Sequence, residues 1–140
     1  MYAAKMGRKV VTVEPFYDNI LRIHKASTKA DVQDKITLVQ NALSNKRNEI
    51  KRLSYSSDNI GRQSLLGNNI NVVFSEDSND KYLVETVYFD DLVEVLPRND
   101  RGEEFKKAIM KIDIEGFEPF AFVHAGRLFN KLSIDIIFME

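Results

Sequence analysis

The sequence predicts an α/β fold with a parallel sheet at its core. Three observations carry this expectation. Four apolar runs, at residues 9–13, 36–39, 108–114 and 134–139, show little polar alternation, as strands covered on both faces do. Helix-period segments separate the first two runs and the last two, which is the order of right-handed β-α-β units. Two of the runs end in acids, at Glu14-Pro15 and at Asp113-Ile114-Glu115-Gly116. Ligands of open α/β sheets bind beyond the carboxyl ends of the strands, so these acids fall where a cofactor would lie.

The elements follow in order. Residues 2–6 suit a short helix stopped by Gly7 at the C′ position. Residues 9–13 form the first strand, and Glu14-Pro15 opens a helix with proline in its first turn. Phe16, Ile20, Ile23 and Ser27 trace its inner face, with Tyr17, Leu21 and His24 beside it. Residues 28–31 suit a further capped turn. Residues 36–39 form the next strand, followed by Gln40-Asn41-Ala42-Leu43. Residues 49–53 are charged and suit a solvent-facing antiparallel strand. Residues 56–71 are a Ser/Asn/Gly loop, whose part from Ser56 to Leu66 is expected to line a substrate entrance together with Tyr55. Residues 72–74 are a short strand and 75–80 an acidic turn. Residues 82–89 are a strand, after which Asp90-Asp91 caps a helix over 92–96 that Pro97 ends. A charged linker spans 98–104. Residues 108–114 are the next strand, 116–132 a mainly helical segment, and 134–139 the last strand.

Composition narrows the function classes. The chain has 140 residues, 44% hydrophobic, with a net charge of -1. That suits one domain with an ordinary core. The charge gives no general attraction to nucleic acid or to an acidic membrane. Lys46-Arg47 and Lys51-Arg52 are interrupted by Glu49 and read as a solvated hairpin face. No cysteine is present, which excludes disulfides, thiolate metal sites and a cysteine nucleophile. No apolar run reaches the roughly 18 residues of a membrane span. The lack of cysteine and of a glycosylation sequon is compatible with a cytoplasmic chain. His24 and His124 read as packed or half-exposed imidazoles, and Phe117, Phe120 and Phe122 as core.

Three segments then point to one family: Val-Glu-Pro-Phe-Tyr-Asp-Asn-Ile (13–20), Leu-Val-Gln-Asn-Ala-Leu-Ser (38–44), and Lys-Ile-Asp-Ile-Glu-Gly-Phe-Glu-Pro-Phe (111–120) with Ile-Ile-Phe-Met-Glu (136–140). With them the chain resembles the FkbM-type S-adenosylmethionine-dependent methyltransferases over nearly its whole length. The resemblance implies a Rossmann-like class I methyltransferase fold, in which the matched segments are strands two to five and a hairpin is inserted before Asp90. It implies that Glu14 accepts hydrogen bonds from the cofactor ribose and that Asn41 lies near the adenine. It implies that Ala42 leaves room for the ring, and that Asp113 faces both the methyl donor and the substrate. Asp113 and Glu115 are the catalytic candidates, with Glu140 a further substrate contact. The partner implied is a small-molecule or glycan hydroxyl. No metal is required, and Asp113, Glu115 and Glu140 follow no metal-ligand spacing.

The pattern also departs from the family. An Asp-x-Gly-x-Asn-x-Gly turn, which would receive the methionine part of the cofactor, does not occur in the sequence. Asn59-Ile60-Gly61 lies in a loop and is no substitute. On this reading residues 1–140 are a single partial domain, truncated at both ends and inactive alone. In the family's strand order the first strand lies between the second and the fourth. Its absence would leave a gap on the order of 10 Å, from a strand spacing near 4.8 Å, with open edges and poor solubility. Two other readings stand beside this one. The chain is a non-catalytic interaction module derived from such a domain, or a generic Rossmann-type NAD binder.

Overall fold

The computed structural model describes residues 1–54, 65, 80–114 and 116–139. Helix α1 (Tyr2–Lys5) leads through a turn to strand β1 (Val10–Val13), helix α2 (Tyr17–Lys29) and strand β2 (Ile36–Val39). Strands β3 (Ala42–Leu43), β4 (Ile50–Arg52) and β5 (Leu83–Val87) follow. The chain ends with strand β6 (Lys107–Ile112), helices α3 (Glu118–Ala121) and α4 (Gly126–Lys131), and strand β7 (Ser133–Met139). The fold is mixed α/β with small parallel and mixed sheets.

Local chemistry sets the helix ends. Gly7 has φ +77. Its N–H donates to the Ala4 carbonyl at 2.9 Å, and the Arg8 N–H donates to Ala3 at 3.0 Å. This pair of bonds is a Schellman motif, which needs a left-handed residue at C′. A Cβ at Gly7 would meet no atom within 4 Å, so Gly7→Ala carries only the backbone cost. We expect a loss of about 1–2 kcal/mol, read from the urea unfolding midpoint. An unchanged midpoint would mean that α1 does not contribute to the cooperative unit. Helix α2 starts at Tyr17 rather than at Pro15, because Glu14 and Pro15 form the turn that leads into it. Its inner face is as expected, with Phe16 and Ser27 buried and Tyr17 and Leu21 exposed.

The parallel pairs expected from the sequence are present. β1 runs parallel to β2, from Val10 opposite Ile36 to Val13 opposite Val39. β6 runs parallel to β7. β4 is antiparallel to β5, with Lys51 opposite Val84. Buried Thr86 fixes that edge, since its Oγ1 accepts the Glu49 N–H at 3.1 Å. The pairs do not merge into one sheet, however. Among the described residues the strands form three separate sheets, β1-β2, β3-β5-β4 and β6-β7. No described strand pairs with both β1 and β6, so no ladder joins those two.

Three further differences have local causes. β3 is a separate two-residue strand, because the chain steps at Gln40-Asn41 and Ala42–Leu43 pairs parallel with Thr86 and Val87. The segment after Tyr88 is a 3₁₀ helix, Phe89–Val95. Within it Asp91 accepts the Tyr88 N–H at 2.9 Å, whereas Asp90 accepts the Leu128 N–H at 3.0 Å and so holds α4. The segment 116–132 breaks into α3, a 3₁₀ turn (Phe122–His124) and α4. The predicted strand at 72–74 lies outside the described residues.

Side chains gather in two cores. One joins Leu43, Phe89, Leu92, Ile112, Ala121, Ala125, Leu128 and Leu132. The other joins Phe16, Ala42, Leu53 and Val84. Strands β6 and β7 are incompletely covered, and on β7 the consecutive residues Ile136, Ile137, Phe138 and Met139 are all exposed. Ile112 is buried, but Ile109 is 68% exposed and Phe138 56%. The apolar runs had predicted cover on both faces. An unbroken run lets either face be buried but does not itself supply the layers that bury it. No helix among them is long and apolar enough to cross a membrane.

Candidate cofactor cleft

A cleft of about 120 Å³ opens beyond the carboxyl ends of β1, β2 and β6. It is lined by Val13, Glu14, Pro15, Asn19, Asn41, Ala42, Leu43, Leu53, Leu65, Asp113, Ile114 and Phe117. Four of the residues singled out from the sequence therefore meet in one place: Glu14, Asn41, Ala42 and Asp113. The cleft lies at the seam of the two cores. Ala42 and Leu53 belong to one, while Leu43 belongs to the other and Val13 and Ile114 pack against it.

Backbone ladders bring the polar groups together. The Glu14 N–H donates to the Val39 carbonyl at 3.0 Å, extending the β1–β2 pairing to the tips of both strands. That sets Glu14 beside the step at Asn41. Glu14 Oε1 accepts the Phe16 N–H at 2.8 Å, so the carboxylate also closes the turn into α2. Its Oε2 has no hydrogen-bond partner among the described residues. Asn41 Nδ2 donates to the Glu85 carbonyl at 3.1 Å, which ties the amide to β5. The Asn41 carbonyl oxygen and one N–H remain to meet a ligand. Ala42 is 3% exposed, and its methyl group forms part of the floor.

Asp113 is the first residue past β6. Its closest cation is Lys111, at 3.9 Å, and the Asp113 side chain is 44% exposed. A pair this long and this exposed is weak, so the carboxylate is accessible from the cleft. Glu115 and Glu140 lie outside the described residues, as do Tyr55, the loop 56–64 and Asn59-Ile60-Gly61. Among the described residues no group of three or more His, Cys, Asp or Glu is placed to hold a metal ion.

Sequence reasoning missed three residues. Asn19 lines the cleft from the first turn of α2, and its Oδ1 accepts from Arg22 at 3.1 Å. Phe117, read as core, forms part of the cleft wall while its ring packs on Phe120 at 5.1 Å. Glu118 is buried beneath the loop that carries Asp113, and its Oε1 accepts the Ile114 N–H at 3.0 Å. The sequence shows only an acid at the start of a helix, two residues after Gly116, which does not reveal that its partners are backbone amides. The two histidines stand apart from the cleft. His124 packs on Tyr88 at 4.1 Å, and the His24 carbonyl accepts the Ser27 hydroxyl at 2.7 Å. The basic hairpin residues are paired with acids, Lys51 with Glu49 at 2.9 Å, Arg47 with Asp91 at 3.3 Å and Arg52 with Asp80 at 2.7 Å.

Comparison with protein-family models, with curated proteins and with solved structures finds no match.

Proposed function

We propose that this chain forms the nucleoside-binding part of an S-adenosylmethionine-dependent methyltransferase of the FkbM type, acting on a hydroxyl of a small molecule or glycan. The observation that carries this reading is the meeting of Glu14, Asn41, Ala42 and Asp113 in one cleft. The donor set fits the cofactor. Glu14 offers Oε2, and a second lone pair on Oε1, to the ribose hydroxyls. Asn41 offers its carbonyl oxygen to the base. When bound, the cofactor supplies an electrophilic methyl group.

Charge separates this reading from an NAD binder. Among the described residues two carboxylates line the cleft, and no Lys, Arg or His does. A dinucleotide would bring a diphosphate that such a cleft repels, whereas a sulfonium nucleoside brings a positive charge. Size sets a limit. Pockets that enclose drug-sized ligands have volumes of roughly 300–1,000 Å³. At about 120 Å³ this cleft holds the ribose region, and the rest of the nucleoside would rest against open surface. Methionine-end contacts would come from the glycine-rich turn of the family, which this sequence lacks.

The expected result is measurable S-adenosylmethionine binding that weakens at least tenfold, about 1.4 kcal/mol, in Glu14→Ala. Calorimetry would be run on the chain and on a version carrying a glycine-rich turn ahead of Met1. Unchanged affinity in Glu14→Ala would reject the ribose assignment. The reading as a non-catalytic interaction module draws support from a different observation, the exposed Ile109, Ile136, Phe138 and Met139 on β6 and β7. It predicts no nucleoside binding in either version.

A further inference from the structure

We propose that Glu118 is the positioning residue that fixes where Asp113 stands in the cleft. This deepens the cofactor-cleft reading and rests on it for its purpose, though not for its test. Glu118 is 8% exposed and is not among the cleft-lining residues. From the first turn of α3 its Oε1 reaches back four residues to accept the Ile114 N–H at 3.0 Å. The Phe117 N–H donates to the Ile114 carbonyl at 3.2 Å. Both hydrogen-bonding groups of the Ile114 backbone are therefore held from within the loop. Gly116, at φ +86, permits the reversal that makes this possible. Asp113 is joined directly to Ile114, and among the described residues its own side chain has only the long contact with Lys111 described above. What sets its place is thus the anchored peptide that follows it.

A buried carboxylate is a strong acceptor for backbone amides, and it is costly to bury without them. Glu118 meets this requirement. Bonds from its own amide and from those of Ile114 and Gly116 hold its carboxyl below the ordinary value of 4.5, and no charged side chain contributes. The titratable groups on the strand and loop it braces are Lys107, Lys111, Asp113 and Glu115, the last outside the described residues. Other charged groups nearby in the fold are engaged elsewhere: Arg127 with Glu94 at 2.7 Å, Lys131 with Glu104 at 2.8 Å, and Asp90 with the Leu128 amide at 3.0 Å. The sign follows. A carboxyl with a lowered folded value stabilises the loop above its unfolded value, and that support is lost as pH falls through the folded one.

The test is an NMR pH titration of the full chain. In wild type the Ile114 amide is expected to lose exchange protection as pH falls through the Glu118 transition, while the Phe129 and Leu132 amides, which donate to backbone carbonyls, stay protected. Asp113→Asn removes the titration of residue 113 itself. In that variant the backbone carbon shift at position 113 should still show a step at the Glu118 transition. The step should vanish when Glu118→Gln is added, because glutamine keeps an acceptor oxygen but cannot titrate. A flat trace at position 113 in Asp113→Asn would overturn the proposal. So would Ile114 protection that falls only in concert with Phe129 and Leu132, the pattern of a residue that merely supports the whole fold. S-adenosylhomocysteine titrated into the same samples reports separately on the cleft. A chain that binds none overturns the methyltransferase reading, and the step at position 113 still decides the role of Glu118.

Discussion

Asp113→Asn is expected to lower methyl transfer by about 10²–10⁴-fold while leaving cofactor affinity nearly unchanged. At 1.36 kcal/mol per decade this amounts to roughly 2.7–5.5 kcal/mol of transition-state stabilisation. The expectation rests on the proposed function and on position. Asp113 lines the cleft, stands just past the end of β6, and is held to Lys111 only at 3.9 Å. A carboxylate so placed can orient an acceptor hydroxyl and take its proton. Asparagine has nearly the same shape and keeps one carbonyl acceptor, but it takes no proton at neutral pH. The loss should therefore appear in kcat, with the cofactor KM little affected. The measurement is S-adenosylhomocysteine release against hydroxyl acceptors, in a domain that joins this segment to the family's glycine-rich turn. Equal turnover by the two proteins would remove Asp113 from the reaction.

The strand tips were legible in the sequence because their signal is local. An apolar run followed by an acid and a helix opener, as at Glu14-Pro15, marks both the end of a strand and its direction. The same holds for the inner face of α2, where Phe16, Ile20, Ile23 and Ser27 follow the helical period, and for Gly7, whose positive φ is a backbone requirement. What was not legible depends on distant partners. β3 is only Ala42–Leu43, too short to carry a period, and it is defined by pairing with Thr86 and Val87 more than forty residues later. The exposure of β6 and β7 was hidden because an uninterrupted apolar run reads alike whatever cover its two faces receive. Asp90 looked like the cap of its own helix, yet it holds the Leu128 amide instead. Glu118 was missed for a related reason. Its partners are backbone amides, which no side-chain pattern advertises.

Phe16→Ala is expected to lower stability by about 3–5 kcal/mol, a large share of the roughly 5–15 kcal/mol typical of a domain. Phe16 is 2% exposed and central to the smaller core, with Ala42, Leu53 and Val84. Its ring stacks on Tyr82 at 5.3 Å, and the Lys81 ammonium lies 5.6 Å from the ring centroid. Lys81 in turn pairs with Asp18 at 2.6 Å, so the ring is clamped between α2 and the approach to β5. Truncation would leave a cavity beside Ala42 and Leu53, both of which also line the cleft. The effect should therefore reach the site. The Phe16 amide holds Glu14 Oε1, and alanine keeps that amide but not the ring that anchors it. Phe16→Leu refills much of the space and is expected to lose less than half as much. Urea unfolding of the three proteins checks the order. If Phe16→Ala unfolds within about 1 kcal/mol of wild type, the ordinary size of a point change, the ring is not the anchor. The position of Glu14 would then rest on the β1–β2 ladder alone.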